Sequence, residues 1–338
     1  MSYYILTIGT LFAINVILVL GLNVQFGYAG VLNFGYIAFV AIGSYVTSAT
    51  SLGGGSSQYY VQQYILGWNL PWPLPVILGG LASAAMGLLV AFIAIRRLRS
   101  DYLAISTIAM SLVLWTVIGN ETWLFNGWQG VAGVPRPFAS QLQNAPQVAS
   151  DAIFFGICVA VAVLVFIACR QLYHTPLGRS WRAVREDDVA AESSGHPSFQ
   201  RKLSAFVVGC FIAGIGGGLL AEYATAFSTS AWLPLETFFI WAAMIVGGPG
   251  NYLGAVLGAA IVLVGLNEGT RYLPSVVDPA TVQALRGVAI GVLMLLVLKF
   301  RPEGLIPERR IHLYKREKGA RLLEQRGSGS SGKEASTP

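Results

Sequence analysis

The chain has few charged residues. Lysine, arginine, aspartate and glutamate make up 11% of its 338 residues, whereas an ordinary soluble domain carries about 25%. Hydrophobic residues make up 54%, which is more apolar material than the interior of a soluble domain can hold. The composition therefore excludes a water-soluble globular protein and predicts an integral membrane protein.

Residues that carry out chemistry are also scarce. The chain has three histidines, which lie far apart, and three cysteines, which lie singly within apolar runs, and neither set shows metal-site or hydrolase spacing. A membrane enzyme keeps ionisable groups at bilayer depth. Here the acidic residues near apolar runs fall at the ends of the runs, where we expect them to be solvated: Asp101, Asp151, Glu222, Glu236 and Glu268.

A phosphate-binding loop is only superficially present. The residues from Gly327 to Lys333 match its glycine and lysine positions, but Glu334 stands where serine or threonine would hold magnesium. No strand pattern precedes this stretch and no helix pattern follows it. We therefore expect no cofactor and no ATPase activity in this chain, so that any ATP is used by partner subunits.

Apolar runs long enough to cross a bilayer dominate the sequence. A helix needs about 20 apolar residues to cross about 30 Å of hydrocarbon, and the runs do not alternate as barrel strands would. They predict an all-α, polytopic integral membrane helix bundle of about nine spans, within a range of 8–10. The predicted spans are 4–22, 27–49, 74–95, 102–119, 151–169, 203–221, 235–248, 252–267 and 283–299.

One of these runs is too short for a comfortable span. Residues 235–248 are followed directly by a glycine- and proline-rich break at 247–250, which predicts a discontinuous or hairpin element. Elsewhere glycines recur at four-residue spacing, which predicts that helices approach closely. Examples are Gly214 with Gly218, Gly254 with Gly258, and Gly287 with Gly291.

The basic residues indicate an orientation. Of 22 lysines and arginines, all but Arg136, Arg271 and Arg286 lie in 96–99, in 170–202 or from Lys299 onward. Nine crossings place those three segments on one face, and the positive-inside rule makes that face cytoplasmic. We predict a multi-pass membrane protein with its C-terminus in the cytoplasm and its N-terminus outside, and no nucleic-acid partner.

The composition also divides the chain into two parts. We predict a transmembrane domain over residues 1–300, with a cytoplasmic segment at 170–202, and a basic cytoplasmic tail over residues 301–338. The end of the tail is rich in glycine, serine, lysine and glutamate, a composition that cannot bury enough apolar area to order itself.

A polar, uncharged and glycine-rich stretch from Gly21 to Tyr36 interrupts the first hydrophobic block. Non-helical backbone at this depth is tolerated where it lines a cavity or is buried in protein. Two interpretations are therefore open, a substrate pathway and a simple polar turn between two helices. The candidate pathway residues are Asn23, Gln25, Asn33 and Tyr36.

The segment 170–202 is long for a bundle connection, which usually takes roughly 2–8 residues. Thr175 and Pro176 are typical of a helix start, and charged residues then alternate with small and apolar ones up to a turn at Gly195 and Pro197. The pattern predicts an amphipathic helix that docks in a partner's groove or lies on lipid headgroups. A solvated connector is the alternative.

Four blocks of the sequence resemble, in the same order, the permease subunits of branched-chain amino acid ABC transporters, specifically the LivM type of the LivH/LivM family. Together with the spans between them they cover residues from about 5 to 307. Tyr36 and Asn33 depart from the family pattern, which often has histidine and a small hydroxyl residue there. The blocks are Gly21–Tyr45, Asn126–Pro135 (NGWQGVAGVP), Thr175–Phe206 and Arg301–Pro307 (RPEGLIP).

The resemblance implies a half-permease of the bacterial inner membrane that pairs with a second, LivH-type subunit. It also implies that two cytoplasmic ATPase subunits drive transport and that an extracytoplasmic binding protein delivers the substrate. Branched-chain or related amino acids are the implied cargo, with urea or short amides as the alternative. A passive channel and a membrane-embedded enzyme are alternatives of a different class. The implied ATPase-coupling residues are Arg182, Arg185, Glu186, Asp187, Asp188, Ala190, Ala191, Glu192 and Gly195.

Overall fold

The structure is a computed structural model that describes residues 2–53, 62, 65–97, 100–139, 141, 146–265, 279–301 and 303–308. Helices dominate these ranges. The helices are α1 (Ser2–Leu22), continued by a π-helical turn (Asn23–Tyr28), α2 (Tyr36–Ser51), α3 (Leu74–Arg97), α4 (Ser100–Asn120), α5 (Thr122–Phe125), α6 (Gln147–His174), α7 (Pro176–Glu186), α8 (Asp188–Ser193), α9 (Ser198–Ala224), α10 (Glu236–Gly247), α11 (Tyr252–Gly258), continued by a second π-helical turn (Ala259–Gly265), and α12 (Pro279–Phe300). Two short strands, Val131–Ala132 and Ala226–Phe227, pair antiparallel.

Five of the described helices are long and apolar enough to cross a bilayer, namely α1 with its π-helical turn, α3, α4, α6 and α9. Shorter apolar helices accompany them at Glu236–Gly247, Tyr252–Gly265 and Gly287–Phe300. The predicted polytopic helix bundle is therefore confirmed. Most of the helices pack against α9 or α1, which are the most buried of the long helices.

The second span begins later than the sequence predicted. The prediction was residue 27, but α2 begins at Tyr36 because residues 23–35 form a π-helical turn followed by irregular backbone. Backbone hydrogen bonds within the stretch, such as Val31 N to Gln25 O at 3.0 Å, satisfy some of its polar groups. Non-helical backbone can therefore persist inside the bundle.

Helices α10 and α11 form an antiparallel hairpin, which confirms the predicted interruption at 247–250. A Cβ on Gly258 would overlap the carbonyl oxygen of Ala243, and one on Gly254 would lie 2.5 Å from that of Gly247. The two backbones are thus in direct contact, as the predicted small-residue packing requires. The predicted end of the second arm, residue 267, lies outside the described residues.

Helices α2, α3 and α9 also pack backbone to backbone. A Cβ on Gly214 of α9 would lie 2.5 Å from Ser83 Oγ of α3, and one on Gly218 would lie 2.5 Å from Thr47 Oγ1 of α2. This confirms the close approach predicted at both glycines. No atom of the described residues lies within 4 Å of a Cβ built on Gly287 or Gly291. The described residues therefore do not form the close helix contact that was predicted at these two glycines.

The expectation that the acidic residues at span ends are solvated is wrong for Glu222. It is 1% exposed, because α9 continues to Ala224, beyond the predicted end at 221, and carries this side chain within the bundle. Asp151 is also sheltered and pairs with Arg136 at 2.5 Å between Oδ1 and Nη1. Glu268 and the Asp101 side chain lie outside the described residues.

Candidate functional site

The segment between α6 and α9 folds as two short helices, where the sequence predicted one. Thr175 caps α7, with its Oγ1 accepting from Gly178 N at 3.3 Å, and Pro176 occupies the first helical position. Asp187 interrupts the helix and caps α8, with its Oδ1 accepting from the backbone N–H groups of Val189 and Ala190 at 2.9 and 3.0 Å. The predicted helix start and the turn before α9 are both confirmed.

One face of α7 is anchored on the bundle. Trp181 is fully buried, and its Nε1 donates to Ser204 Oγ of α9 at 2.9 Å. The Arg182 guanidinium lies 4.0 Å from the centre of the Tyr173 ring and donates to the Tyr173 carbonyl oxygen at 3.3 Å. These contacts hold α7 to both α6 and α9.

Arg185, one turn further along α7, reaches a different part of the chain. Its Nη1 donates to the carbonyl oxygen of Gly27, in the π-helical turn that follows α1. A Cβ on Gly30, where φ is +68°, would lie 2.9 Å from Arg185 Cγ and 3.4 Å from Arg185 Cβ. The side chain of Arg185 therefore packs directly on the break between α1 and α2.

Helix α8 presents an acidic surface with an apolar centre. Val189 is 75% exposed, whereas Ala191 on the opposite side of the helix is 4% exposed. Asp188 pairs with Lys202 Nζ and accepts from Ser198 Oγ at 3.2 Å, which ties α8 to α9. We call five exposed residues on or directly before α8 the α8 face: Glu186, Asp187, Val189, Ala190 and Glu192.

The implied coupling residues thus separate into two groups. Arg182, Arg185, Asp188 and Ala191 contact the chain's own bundle. Gly195, with φ of +84°, and the residues of the α8 face are exposed. Val189 lies within the same segment but was not among the named coupling residues, although an isolated valine in an acidic run was the available signal.

The four predicted pathway residues are all fully buried. Gln25 Nε2 donates to the Phe206 carbonyl oxygen at 2.9 Å, and its Oε1 accepts from Asn33 Nδ2 at 3.0 Å. Tyr36 Oη donates to the Leu18 carbonyl oxygen at 2.9 Å. In this conformation Gln25, Asn33 and Tyr36 brace the break between α1 and α2, and a role in a substrate pathway stays a prediction.

Asn23 connects that break to the tip of the α10–α11 hairpin. Its Oδ1 accepts from the backbone N–H of Gly250 at 2.9 Å. Gly27 lies between the two, since a Cβ there would overlap Asn23 Oδ1 and lie 2.5 Å from Gly250 N. Only glycine allows this approach, which brings two stretches together that are more than 200 residues apart in sequence.

The residues after α12 complete the same cluster. Leu305 N donates to Val246 O at 2.9 Å, and Ile306 N donates to Gly247 O at 3.1 Å. Asn251 Nδ2 donates to the Pro307 carbonyl oxygen at 3.2 Å. We call the cluster formed by residues 23–30, 246–251 and 304–307 the glycine junction, and Arg185 is its contact with α7.

Comparison with known proteins agrees with the family resemblance of the four blocks. The family model described as "Branched-chain amino acid transport system / permease component" matches residues 4–298. High-affinity branched-chain amino acid transport system permease protein LivM is 32% identical in Escherichia coli K12, over 94% of this chain and 73% of the relative. The LivM protein of Salmonella typhimurium is 31% identical, over 90% of this chain and 71% of the relative. A probable branched-chain amino acid transport permease protein LivH of Methanocaldococcus jannaschii is 26% identical, over 77% of this chain and 78% of the relative. No solved structure matches the chain.

Proposed function

Because this chain belongs to the branched-chain amino acid transport permease family, we propose that it forms half of the translocation pathway of an ATP-binding cassette importer. The other half is a second, LivH-type permease subunit. Two ATPase subunits drive the cycle from the cytoplasm, and an extracytoplasmic binding protein delivers the substrate. The chain itself performs no covalent chemistry.

The α8 face is the observation that carries this proposal. Val189 is an apolar side chain that is 75% exposed. It lies within an acidic surface, on a helix that is tied to α9. An exposed apolar group of this kind is typical of a docking site. We propose that Val189 and Ala190 enter a cleft of the ATPase subunit and that basic groups around the cleft face Glu186, Asp187 and Glu192. Such complementary charge orients a partner more than it adds affinity.

Docking on this face places α7, α8 and the C-terminus in the cytoplasm of a bacterial cell and the N-terminus outside the inner membrane. The distribution of lysine and arginine supports the same orientation. ATP binding and hydrolysis then favour inward- or outward-open forms in turn, because the ATPases bind the two forms with different affinity. Residues 1–300 form the permease domain in this proposal, and the basic tail begins at residue 301. Its first residues stay bonded to the α10–α11 hairpin, and the rest lies in the cytoplasm.

The cargo that best fits the family is a branched-chain or related amino acid. The test is ATP-dependent uptake of labelled leucine, isoleucine and valine by proteoliposomes that hold the permease pair, the ATPases and the binding protein. Excess unlabelled valine should abolish leucine uptake, and excess urea or acetamide should not. Competition by urea or acetamide, without competition by valine, would assign the cargo to short amides.

Ala190 is the informative position for testing the docking site. Ala191 is buried and Gly195 has φ of +84°, so a large side chain at either position perturbs the fold itself. Ala190 is exposed, so Ala190→Trp should block docking and lower uptake more than about tenfold, a loss of about 1.4 kcal/mol of binding. Ala190→Ser is the matched control and should transport normally. Native uptake by Ala190→Trp would rule out docking at the α8 face.

A further inference from the structure

We propose that Arg185 is a positioning residue that links α7 to the glycine junction, so that displacement of the α7–α8 segment moves the α10–α11 hairpin. This inference rests on the proposed importer function. When α8 is pushed, the hairpin moves first, and not the bundle as a whole.

The first step is the connection between α8 and Arg185. A single residue, Asp187, separates α7 from α8, and its side chain caps α8. Arg185 therefore lies two residues before the cap, in the last turn of α7. A push on the α8 face is transmitted to Arg185 through Glu186 and Asp187.

The second step is the contact between Arg185 and the break after α1. The π-helical turn ends at Tyr28, and carbonyl groups in the last turn of a helix require donors from outside that turn. Arg185 supplies a donor to the Gly27 carbonyl oxygen, and a charge-assisted hydrogen bond is stronger than one between neutral groups. The stem of Arg185 also packs against Gly30. The hydrogen bond therefore resists movement of α7 away from the break, and the packing resists movement of α7 toward it.

The third step is the contact between Gly27 and the hairpin tip. Here Gly27 touches the Gly250 backbone, Asn23 accepts from Gly250 N, and the chain at Leu305 and Ile306 bonds to the backbone of the hairpin. These contacts involve backbone on at least one side, so little side-chain motion is available to absorb a displacement. Closely packed interiors of this kind shift between discrete arrangements.

The test compares two residues of the same helix. Arg185→Gln removes the charged donor to Gly27, whereas Trp181→Phe removes the hydrogen bond that anchors α7 to Ser204 of α9 and leaves the contact with Gly27 in place. Substrate uptake per ATP hydrolysed is measured in proteoliposomes with the complete complex. We expect this ratio to fall about tenfold in Arg185→Gln, the effect of losing one charge-assisted hydrogen bond between two states, and to stay native in Trp181→Phe.

A merely structural role for Arg185 gives a different result. If the contact only stabilises α7, both variants lower assembly, ATP hydrolysis and uptake in parallel, and the ratio does not change. An unchanged ratio in Arg185→Gln would overturn the inference. The proposed importer function fails separately, if the complex with the native chain shows no ATP-dependent uptake.

A covalent link provides a second test if Arg185→Gln does not assemble. A Cβ on Gly30 lies 3.4 Å from Arg185 Cβ, close to the roughly 3.8 Å of a disulfide. The double variant Gly30→Cys with Arg185→Cys should therefore form a disulfide on oxidation, and the three native cysteines are buried and free. Oxidation should raise uptake per ATP several-fold and dithiothreitol should reverse it. Arg185→Cys alone should not respond, and neither should Gly30→Cys alone, which controls for the strain of a side chain at φ of +68°. Equal ratios in the oxidised and reduced double variant would refute the link.

Discussion

Gln25 offers the sharpest test of how the break between α1 and α2 is held together. Gln25→Leu keeps the size of the side chain but removes its hydrogen bonds to the Phe206 carbonyl oxygen and to Asn33 Nδ2. A hydrogen bond between neutral groups contributes about 0.5–1.5 kcal/mol, and a buried amide left without its partner costs about 1–3 kcal/mol. Because Asn33 is fully buried, we expect Gln25→Leu to lower the free energy of unfolding by about 2–4 kcal/mol.

The assay is a double-mutant cycle on the detergent-solubilised protein, with unfolding induced by sodium dodecyl sulfate. Asn33→Ala should be much less destabilising in the Gln25→Leu background than in the native chain, because the bond between the two side chains is then already absent. We expect a coupling energy of about 1 kcal/mol or more, well above the 0.3–0.5 kcal/mol at which independent sites add. The same variants are assayed for uptake.

Two results would refute this reasoning. Additive effects of Gln25→Leu and Asn33→Ala would mean that the pair does not brace the break. An increase in KM for uptake with no loss of stability would mean that Gln25 contacts the substrate, which is the pathway interpretation left open by the sequence.

The remaining predictions concern packing between helices. Gly43→Val should destabilise the fold by about 3 kcal/mol or more, because its Cβ would overlap the backbone of Gly214. In the control Gly156→Val, no atom of the described residues lies within 4 Å of the new Cβ. This control should elute as a folded species in fluorescence-detected size exclusion, so aggregation of both variants alike would contradict the packing argument. Trp181→Phe should cost about 1 kcal/mol by thermal unfolding, since it loses the 2.9 Å bond to Ser204 but keeps an aromatic ring in the site; a loss as large as that of Trp181→Ala would show that the hydrogen bond, and not burial, holds α7.

Local signals predicted much of this molecule. The Thr175 cap with Pro176, the interruption at 247–250 and the polar stretch at 21–36 each marked a real feature. Helix ends and breaks are readable from consecutive residues because each backbone group in an apolar environment must find its partner nearby. The start of α2 was misplaced because several residues of the polar stretch are apolar and read as helix.

The residues that each side chain contacts could not be predicted from such local signals. Nothing in the sequence indicated that Arg185 reaches Gly27, and its role in ATPase coupling stays a prediction. Glu222 looked solvated and is buried. Ala190 and Ala191 are adjacent and alike in sequence, but only Ala190 is exposed. Which face of a short helix meets the bundle depends on neighbours supplied by α6 and α9.

The sequence by itself determined that the chain is a helical membrane protein of the permease family, because apolar length and the order of its blocks are properties of the chain as written. The tertiary structure decided that the break after α1, the tip of the α10–α11 hairpin and the residues after α12 meet at one point, with Arg185 beside them. No local pattern encodes that meeting, because its partners lie more than 50 residues apart. Their contact depends on glycines that let backbones touch only once the surrounding helices have packed.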